Sequence, residues 1–369
     1  MKKRELSKDW IFLIVLSLLM AGLWLLPSPV LISAGGNSTV SAVVLQTDDS
    51  LLQKHGLLLY GSQILKLKLP DGSIREGCNE LRADMELDKL FQKGDKVRVI
   101  HAPTGMLTVK DHDRNGWIFV LAGAFSLFLL IFGGWTGFKA LWSFIVSCIV
   151  VWKALIPLIL MGWNASLASF TCTFFLTGAI LFAVAGFNRK GIASFVGAMA
   201  GVLCSFLLAH LFTLLMKLNG AVLPYSQTLY YSGYEFLDLR DLFVGAMILG
   251  SSGAVMDLAM DIASGCEEVK RHSPEISRKE LIFSGFRMGR SVVGTMTTTL
   301  LLAYSGGYIT LLMMFFAQNT PPLEFINNPL VASEIAKTLI GSFGLVLVAP
   351  FTAIAAGWIM SAVSKAEKK

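Results

Sequence analysis

Residues 250–299 read GSSGAVMDLAMDIASGCEEVKRHSPEISRKELIFSGFRMGRSVVGTMTTT. Two carboxylates, Asp257 and Asp261, interrupt what is otherwise an apolar helical segment. A charged stretch from Glu267 to Glu280 follows. A second apolar segment then opens with Arg287 and Arg290 and runs through Gly294 into a series of threonines. An ionisable side chain inside a transmembrane helix is costly, and by default it marks a functional site. The stretch therefore predicts a polytopic membrane protein with one polar intramembrane site.

The composition agrees with that class. The chain has 369 residues, 54% hydrophobic and 15% charged, with a mean hydropathy of +0.64. Soluble domains carry roughly 25% charged residues, and apolar runs of about 20 residues, enough to cross a bilayer, recur here. The net charge of +6 fits basic residues at the ends of membrane spans. No basic stripe with interleaved aromatics is present, which sets nucleic-acid binding aside. Cys78, Cys148, Cys172, Cys204 and Cys266 show no CxxC and no shared short segment, so neither a disulfide framework nor a metal site is signalled. No cofactor motif is present. His210, late in an apolar segment, reads as a hydrogen-bonded packing residue.

Taken outward from the polar stretch, the chain divides into three parts. Residues 1–34 are a basic start (Lys2, Lys3, Arg4, Lys8) and a first apolar run, Trp10 to Leu26. That run is either a signal peptide with Ala34 near a cleavage point or an uncleaved anchor. Pro27 and Pro29 with no A-x-A favour the anchor. Residues 35–115 are polar and strand-like. Leu65, Leu67 and Leu69 alternate with Lys66 and Lys68, Asp71-Gly72 signals a hairpin, and Gly94-Asp95 leads into a further strand. A small extracytoplasmic β-barrel or β-sandwich is expected, with no catalytic constellation. Residues 116–369 form the membrane bundle, with a cytoplasmic hinge at 265–290.

Spans are expected at Trp117–Phe132, Ala140–Leu160, Ala165–Gly186, Ile192–Leu215, Leu242–Ser264, Val292–Tyr304 and Ile335–Met360. With the first helix this makes about eight. Gly133-Gly134 with Lys139 should form a short cytoplasmic turn, Lys153 should snorkel or pair with a carboxylate, and Gly306-Gly307 should break the seventh span. The clusters Lys2–Arg4, Arg189-Lys190, Lys270–Arg290 and the C-terminal Lys365, Lys368 and Lys369 place both termini in the cytoplasm. Lys217, Arg240 and Lys337 stand singly near outer span ends.

At 3.6 residues per turn, Gly250, Gly253, Asp257, Asp261, Ser264 and Glu268 share one helix face. Its small residues should let a neighbouring helix approach. Two carboxylates one turn apart repel when both are ionised, so the pair favours holding a proton. Across from them, Arg290, Gly294 and Thr297 share one face, and Arg287, Ser291, Gly294 and Thr298 the adjacent one. An arginine is expected to pair with Asp261, and threonine hydroxyls to bond Asp257 or line a hydrated path. A register-fixing clamp between two helices is the structural alternative. Intramembrane catalysis lacks an HExxH, a Ser–His pair or a GxGD-like motif.

Gly253-Ala254-Val255-Met256-Asp257, Ala263-Ser264, Gly289-Arg290, Gly294-Thr295-Met296 with Leu300 to Tyr304, and GSFGLVLVAP at 341–350 together resemble the YibE/F-like family of bacterial membrane proteins. With the N-terminal external domain, the resemblance covers most of the chain and is closest to the longer, ectodomain-bearing YibE-type member of a paired set. It implies a bacterial cell-membrane location and a paralogous YibF-type subunit, or a homo-oligomer, as partner. Family members often carry Asp after the Gly-Arg pair, where this chain has Ser291. They often carry Asn within the GTM segment, where it has Thr298, and a small polar residue in place of Asp261. A carboxylate has thus moved between helices, or a partner supplies the missing groups.

The expectation is an α-helical polytopic membrane protein with a β-rich external domain after the first helix. Its expected role is a transporter component, with proton coupling, and not an enzyme. Asp257 is the protonatable group, Asp261 its modulator and Arg290 the counter-charge. Ser264, Ser291, Thr295, Thr297 and Thr298 complete the polar site, and Gly250, Gly253, Gly289 and Gly294 pack the helices. The alternative is a non-transporting assembly protein whose polar residues only hold helices together.

Overall fold

The computed structural model describes residues 2–25, 39–56, 58–85, 88–101 and 106–361. Pro27, Pro29, Ala34 and the C-terminal lysines lie outside them. The chain divides into two compact units, one of Leu31–Phe132 and one of Met1–Val30 with Gly133–Lys369.

The smaller unit is built on five strands, β1 (Val40–His55), β2 (Leu58–Lys68), β3 (Ile74–Arg82), β4 (Lys96–His101) and β5 (Leu107–His112). They close into a barrel in the order β1-β2-β3-β5-β4. All neighbours are antiparallel except β3 and β5. Closure is made by β1 on β4 over Val40–Val43 and by β3 on β5 at Gly77 and Cys78. The alternation read in the sequence sets the interior. Leu65, Leu67 and Leu69 are buried with Ala42, Val44, Phe91, Val97, Val99, Leu107 and Val109, while Lys66 and Lys68 are exposed. Asp71 turns the β2–β3 hairpin by accepting from Ser73 N at 2.9 Å, and Gly72 takes the positive φ of 83° that the turn requires.

Among the described residues, two buried polar side chains sit in this barrel, and both are satisfied. Gln63 Nε2 donates to Phe91 O at 3.0 Å and its Oε1 accepts from Phe91 N at 3.1 Å. Asn79 Nδ2 donates to Gln63 Oε1 at 3.1 Å and to Lys89 O at 2.7 Å. They fasten the segment after β3 to the sheet. Its described residues are not helical. At the end of β5, Arg114 at 2.8 Å and Lys89 at 3.0 Å hold the Asp111 carboxyl well below the usual carboxylate range.

The helices, in chain order, are α1 (Lys2–Leu25), α2 (Asn115–Val150), α3 (Ile156–Leu160), α4 (Ala165–Ala185), α5 (Arg189–Leu215), α6 (Ser226–Tyr231), α7 (Leu239–His272), α8 (Arg278–Gly307), α9 (Ile309–Ala317), α10 (Pro322–Asn327) and α11 (Pro329–Ser361). Five segments are long and apolar enough to cross a membrane: Asn115–Leu160, Ala165–Ala185, Arg189–Leu215, Leu239–His272 and Pro329–Ser361. The pair α8 and α9, bent by 68°, makes a sixth if it is one span. The expected eight differ from this in two places. The apolar part of α1, Trp10–Leu25, is short. Asn115–Leu160 is continuous apart from Gly134, whose φ of 51° and ψ of −124° interrupt the helix. The turn expected at Gly133-Gly134 is that single residue. Lys139 is not in a turn. It is buried within the helix, 6.0 Å from the Trp135 ring centroid. Lys153 lies 5.2 Å from the Trp24 ring, in a π-helical turn at Val151–Leu155 just before Pro157.

The charged hinge is shorter than expected. Instead of 265–290, only 273–277 are non-helical. Lys270, Arg271 and His272 complement the C-terminal end of the α7 dipole, so the helix runs on past its apolar part. Ser277 and Glu280 form a capping box that starts α8 fourteen residues before Val292.

In the larger unit, α11 packs most extensively against α5 and α8, and α7 against α5 and α11. Small residues make the contacts. A Cβ at Gly197 would stand 2.0 Å from Thr352 Oγ1, and one at Gly344 would stand 2.2 Å from Ser205 Oγ. Such positions let helix backbones meet where lipid offers no hydrophobic drive. His210 donates or accepts with Ser166 Oγ at 3.2 Å, as a packing histidine does.

The barrel register yields a direct test. Leu67→Asp puts a charge into the sealed core, and Lys66→Ala changes only the solvated face. The first should expose the barrel to limited proteolysis in the detergent-solubilised full chain, and the second should leave the digestion pattern unchanged. Equal sensitivity of both variants would mean the strand faces are misassigned.

Candidate functional site

Along α7 one stripe is left open. Ala246, Gly250, Gly253, Asp257, Asp261 and Glu268 are exposed and Ser264 is half-buried. The rest of the helix is packed: Val255, Met256, Leu258, Ala259, Ile262, Ala263 and Cys266 are all buried. The face read from the periodicity is therefore one face, and it points outward from the chain rather than into a cavity.

Helix α8 runs antiparallel beside α7. A Cβ at Gly250 would meet Tyr304, one at Gly265 would meet Met288, one at Gly289 would meet Ile262, and one at Gly285 would meet Cys266. This register sets Asp257 about level with Met296 and Asp261 about level with Val292. Arg290 and the hydroxyls of α8 thus lie near the depth of the carboxylates, with Arg287 about one turn further along the helix, yet they do not join them. Arg290 turns to the other flank, into a groove of about 420 Å³ with Phe286, Gly289, Val293, Gly294, Val346, Ala349 and Pro350. Among the described residues neither Asp257 nor Asp261 has an ion pair or a hydrogen bond, and the expected Asp261–Arg290 pair is not formed.

The hydroxyls explain part of this. Ser291, Thr295, Thr297, Thr298 and Thr299 donate to the carbonyls of Met288, Val292, Val293, Gly294 and Thr295 at 2.7–3.0 Å. A helical Ser or Thr readily bonds the carbonyl three or four residues back, so these hydroxyls are satisfied on their own helix. The glycines divide as well. Gly289 packs against Ala349 and Gly250 against Tyr304, whereas a Cβ on Gly253 or Gly294 would meet nothing within 4 Å. Among the described residues no three His, Cys, Asp or Glu lie together as a metal site would need.

A second polar cluster was not visible in the sequence. Near the start of α11, Lys337 Nζ lies 2.5 Å from Glu334 Oε1, and both side chains are 13% exposed. The ammonium also stands 5.5 Å from the Phe243 ring and 5.7 Å from Tyr308. Glu334 Oε2 is buried and accepts no hydrogen bond from the described residues. Glu334 borders a cavity of about 280 Å³ at the α8–α9 bend, with Tyr304, Ser305, Tyr308 and Phe325. Lys337 is thus no lone basic residue at an outer span end. The i, i+3 spacing of Glu334 and Lys337 was the available signal.

An apolar helix bundle of this extent, exposing large side chains such as Leu207, Leu211, Leu339, Phe343 and Trp358 on its outside, defines a multi-pass membrane protein. A family model described as YibE/F-like protein matches residues 121–362. This is well over half of the chain, and the chain belongs to that family. The match begins inside α2, so the barrel lies outside it. No curated protein and no solved structure matches the chain.

The Glu334–Lys337 pair makes its own prediction. Lys337→Ala leaves a carboxylate buried without its cation, which costs about 3–5 kcal/mol, and should sharply lower the amount of protein in the membrane. Glu334→Gln with Lys337→Gln removes both charges and should accumulate better than Lys337→Ala alone. Equal accumulation of the two variants would show that the pair is not a buried interaction.

Proposed function

We propose that the protein is a subunit of a bacterial cell-membrane transport assembly, proton-coupled, whose polar path is completed at a subunit boundary. The observation that carries this reading is the outward-facing Asp257–Asp261 stripe. Hydrocarbon offers such groups no partner, so the stripe requires protein or water beside it. Asp257 is the proton-carrying group and Asp261 modulates it. Arg290 is the counter-charge for the completed site, and Ser291, Thr295, Thr297 and Thr298 line it. A non-transporting assembly role is the second reading. It is favoured by the threonine hydroxyls, which are already bonded to their own helix.

With α1 crossing the membrane and Asn115–Leu160 crossing twice, turning at the Gly134 break, the chain is read with about eight spans, both termini cytoplasmic and residues 35–115 outside. The basic clusters around 189–190 and 270–290 fall on the cytoplasmic side in that arrangement. On a background without the five native cysteines, His272→Cys should label with an impermeant reagent only after lysis, and Arg75→Cys should label in whole cells. The reverse pattern would overturn the orientation.

Proton coupling is tested at Asp257. Asp257→Asn keeps the side chain's size and removes its titration. The variant should reach the membrane at the level of the unaltered chain and lose proton movement into proteoliposomes, read by an internal pH dye. Full proton movement at matched protein levels removes the coupling reading and leaves the assembly role.

A further inference from the structure

We infer that the acidic stripe of α7 and the arginine side of α8 form one self-complementary surface on which a second copy of this chain docks. The inference rests on reading the stripe as an intramembrane site, as above, but it does not require proton movement.

Three observations carry it. The first is sign. Asp257 and Asp261 are exposed on α7, and Arg287 and Arg290 are exposed on the neighbouring α8. Among the described residues neither arginine has an ion pair, and Arg287 only donates to Ser284 Oγ at 3.5 Å. The second is depth. The α7–α8 register places Asp261 about level with Val292, so Arg290 is two residues away along the helix axis, or about 3 Å. A two-fold axis along the membrane normal preserves depth, so it brings the acidic stripe of each copy to the arginine side of the other. The third is room. Gly253 and Gly294 lie on the two exposed faces, and a Cβ at either would meet nothing within 4 Å. Open small residues allow another helix to come close.

An isologous interface needs one surface that carries both halves of each contact. This surface does so, with acid and base on adjacent helices at one depth. A different subunit would have to supply both halves anew. Lipid would supply neither.

The test uses the full chain in native membranes, on a background without the native cysteines. Gly253→Cys and Thr298→Cys should cross-link to a dimer of this chain on mild oxidation. Leu207→Cys and Leu339→Cys, exposed elsewhere on α5 and α11, should not. In mild detergent, Asp261→Asn and Arg290→Gln should each lower the dimer fraction by raising its dissociation constant, about tenfold for each desolvated charge pair worth about 1.4 kcal/mol and so about a hundredfold for the two symmetry-related pairs. Asp261→Arg combined with Arg290→Asp should recover it relative to Asp261→Arg alone, as coupled partners do. Cross-linking no greater than at the two control positions overturns the inference, and so does trapping of a protein of different mass. Single variants with an undiminished dimer overturn it too. A dimer that persists while Asp257→Asn still moves protons removes the coupling reading and leaves this one standing. A monomer that loses proton movement with Asp257→Asn does the opposite.

Discussion

Inside a bilayer every polar group must find its partner within protein or water, and this requirement orders the larger unit. The backbone meets it with helices. Many serines and threonines meet it by bonding the carbonyl one turn back, whereas the hydroxyls of Thr173, Thr177, Ser205, Thr213 and Thr352 are buried with no hydrogen-bond partner among the described residues. Lys139 and Lys153 lie over Trp135 and Trp24, and Lys337 is held by Glu334. Asp257 and Asp261 are further exceptions, and both are ionisable and exposed on the outside of the chain. An aspartate at a helix centre costs roughly 2.5–3.5 kcal/mol on insertion scales. Two in one helix make a burden that fold stability gives no reason to carry. Within this chain they are not used to fasten helices, which is what a clamp would require.

The bundle holds together by other means. Gly197 admits Thr352, Gly344 admits Ser205, and Gly285 and Gly289 admit Ala353 and Ala349. With helices this close, dispersion contacts accumulate where α5, α7, α8 and α11 meet. Gly250 joins that packing against Tyr304, while Asp257 and Asp261 stay exposed. A substitution at Asp257 therefore separates function from folding more cleanly than one at Gly197 or Gly289, where any side chain must push a helix aside.

Some of this was legible in the sequence, and the physics says which part. Ala165–Ala185 and the α5 end at Leu215 follow from apolar length and the turn residues that flank them. The alternation of Leu65, Leu67 and Leu69 fixed the inside of the barrel, because a period of two admits one choice of face. The α7 face was read correctly as a face, since 3.6 residues per turn aligns Gly250, Gly253, Asp257 and Asp261. Periodicity does not say what lies opposite. Gly253 and Gly294 were expected to pack helices and are open. Asp261 and Arg290 were expected to meet and point to different flanks. The Glu334–Lys337 pair was hidden because an ion pair is recognised by burial, which depends on Phe243 and Tyr308 from elsewhere in the chain. The long reach of α7 to His272 depended on its C-terminal cations, a local signal that the apolar window overlooked.

The chemistry of the open stripe also restricts what covers it. An ionised carboxylate only accepts hydrogen bonds. The hydroxyl protons of Ser291, Thr295 and Thr298 are already given to helix carbonyls, so these oxygens too present mainly acceptor lone pairs. The surface therefore offers many acceptors, and the exposed donors near it come from Arg287 and Arg290. A neighbour that brings only ionised carboxylates would leave it unsatisfied. A neighbour that brings guanidinium groups, ordered water or a shared proton to the depth of Asp257 and Asp261 satisfies it, and α8 of this same sequence carries two guanidinium groups near that depth. Acid and base on adjacent helices, turned apart within one chain, thus make sense together when the unit considered is larger than the chain.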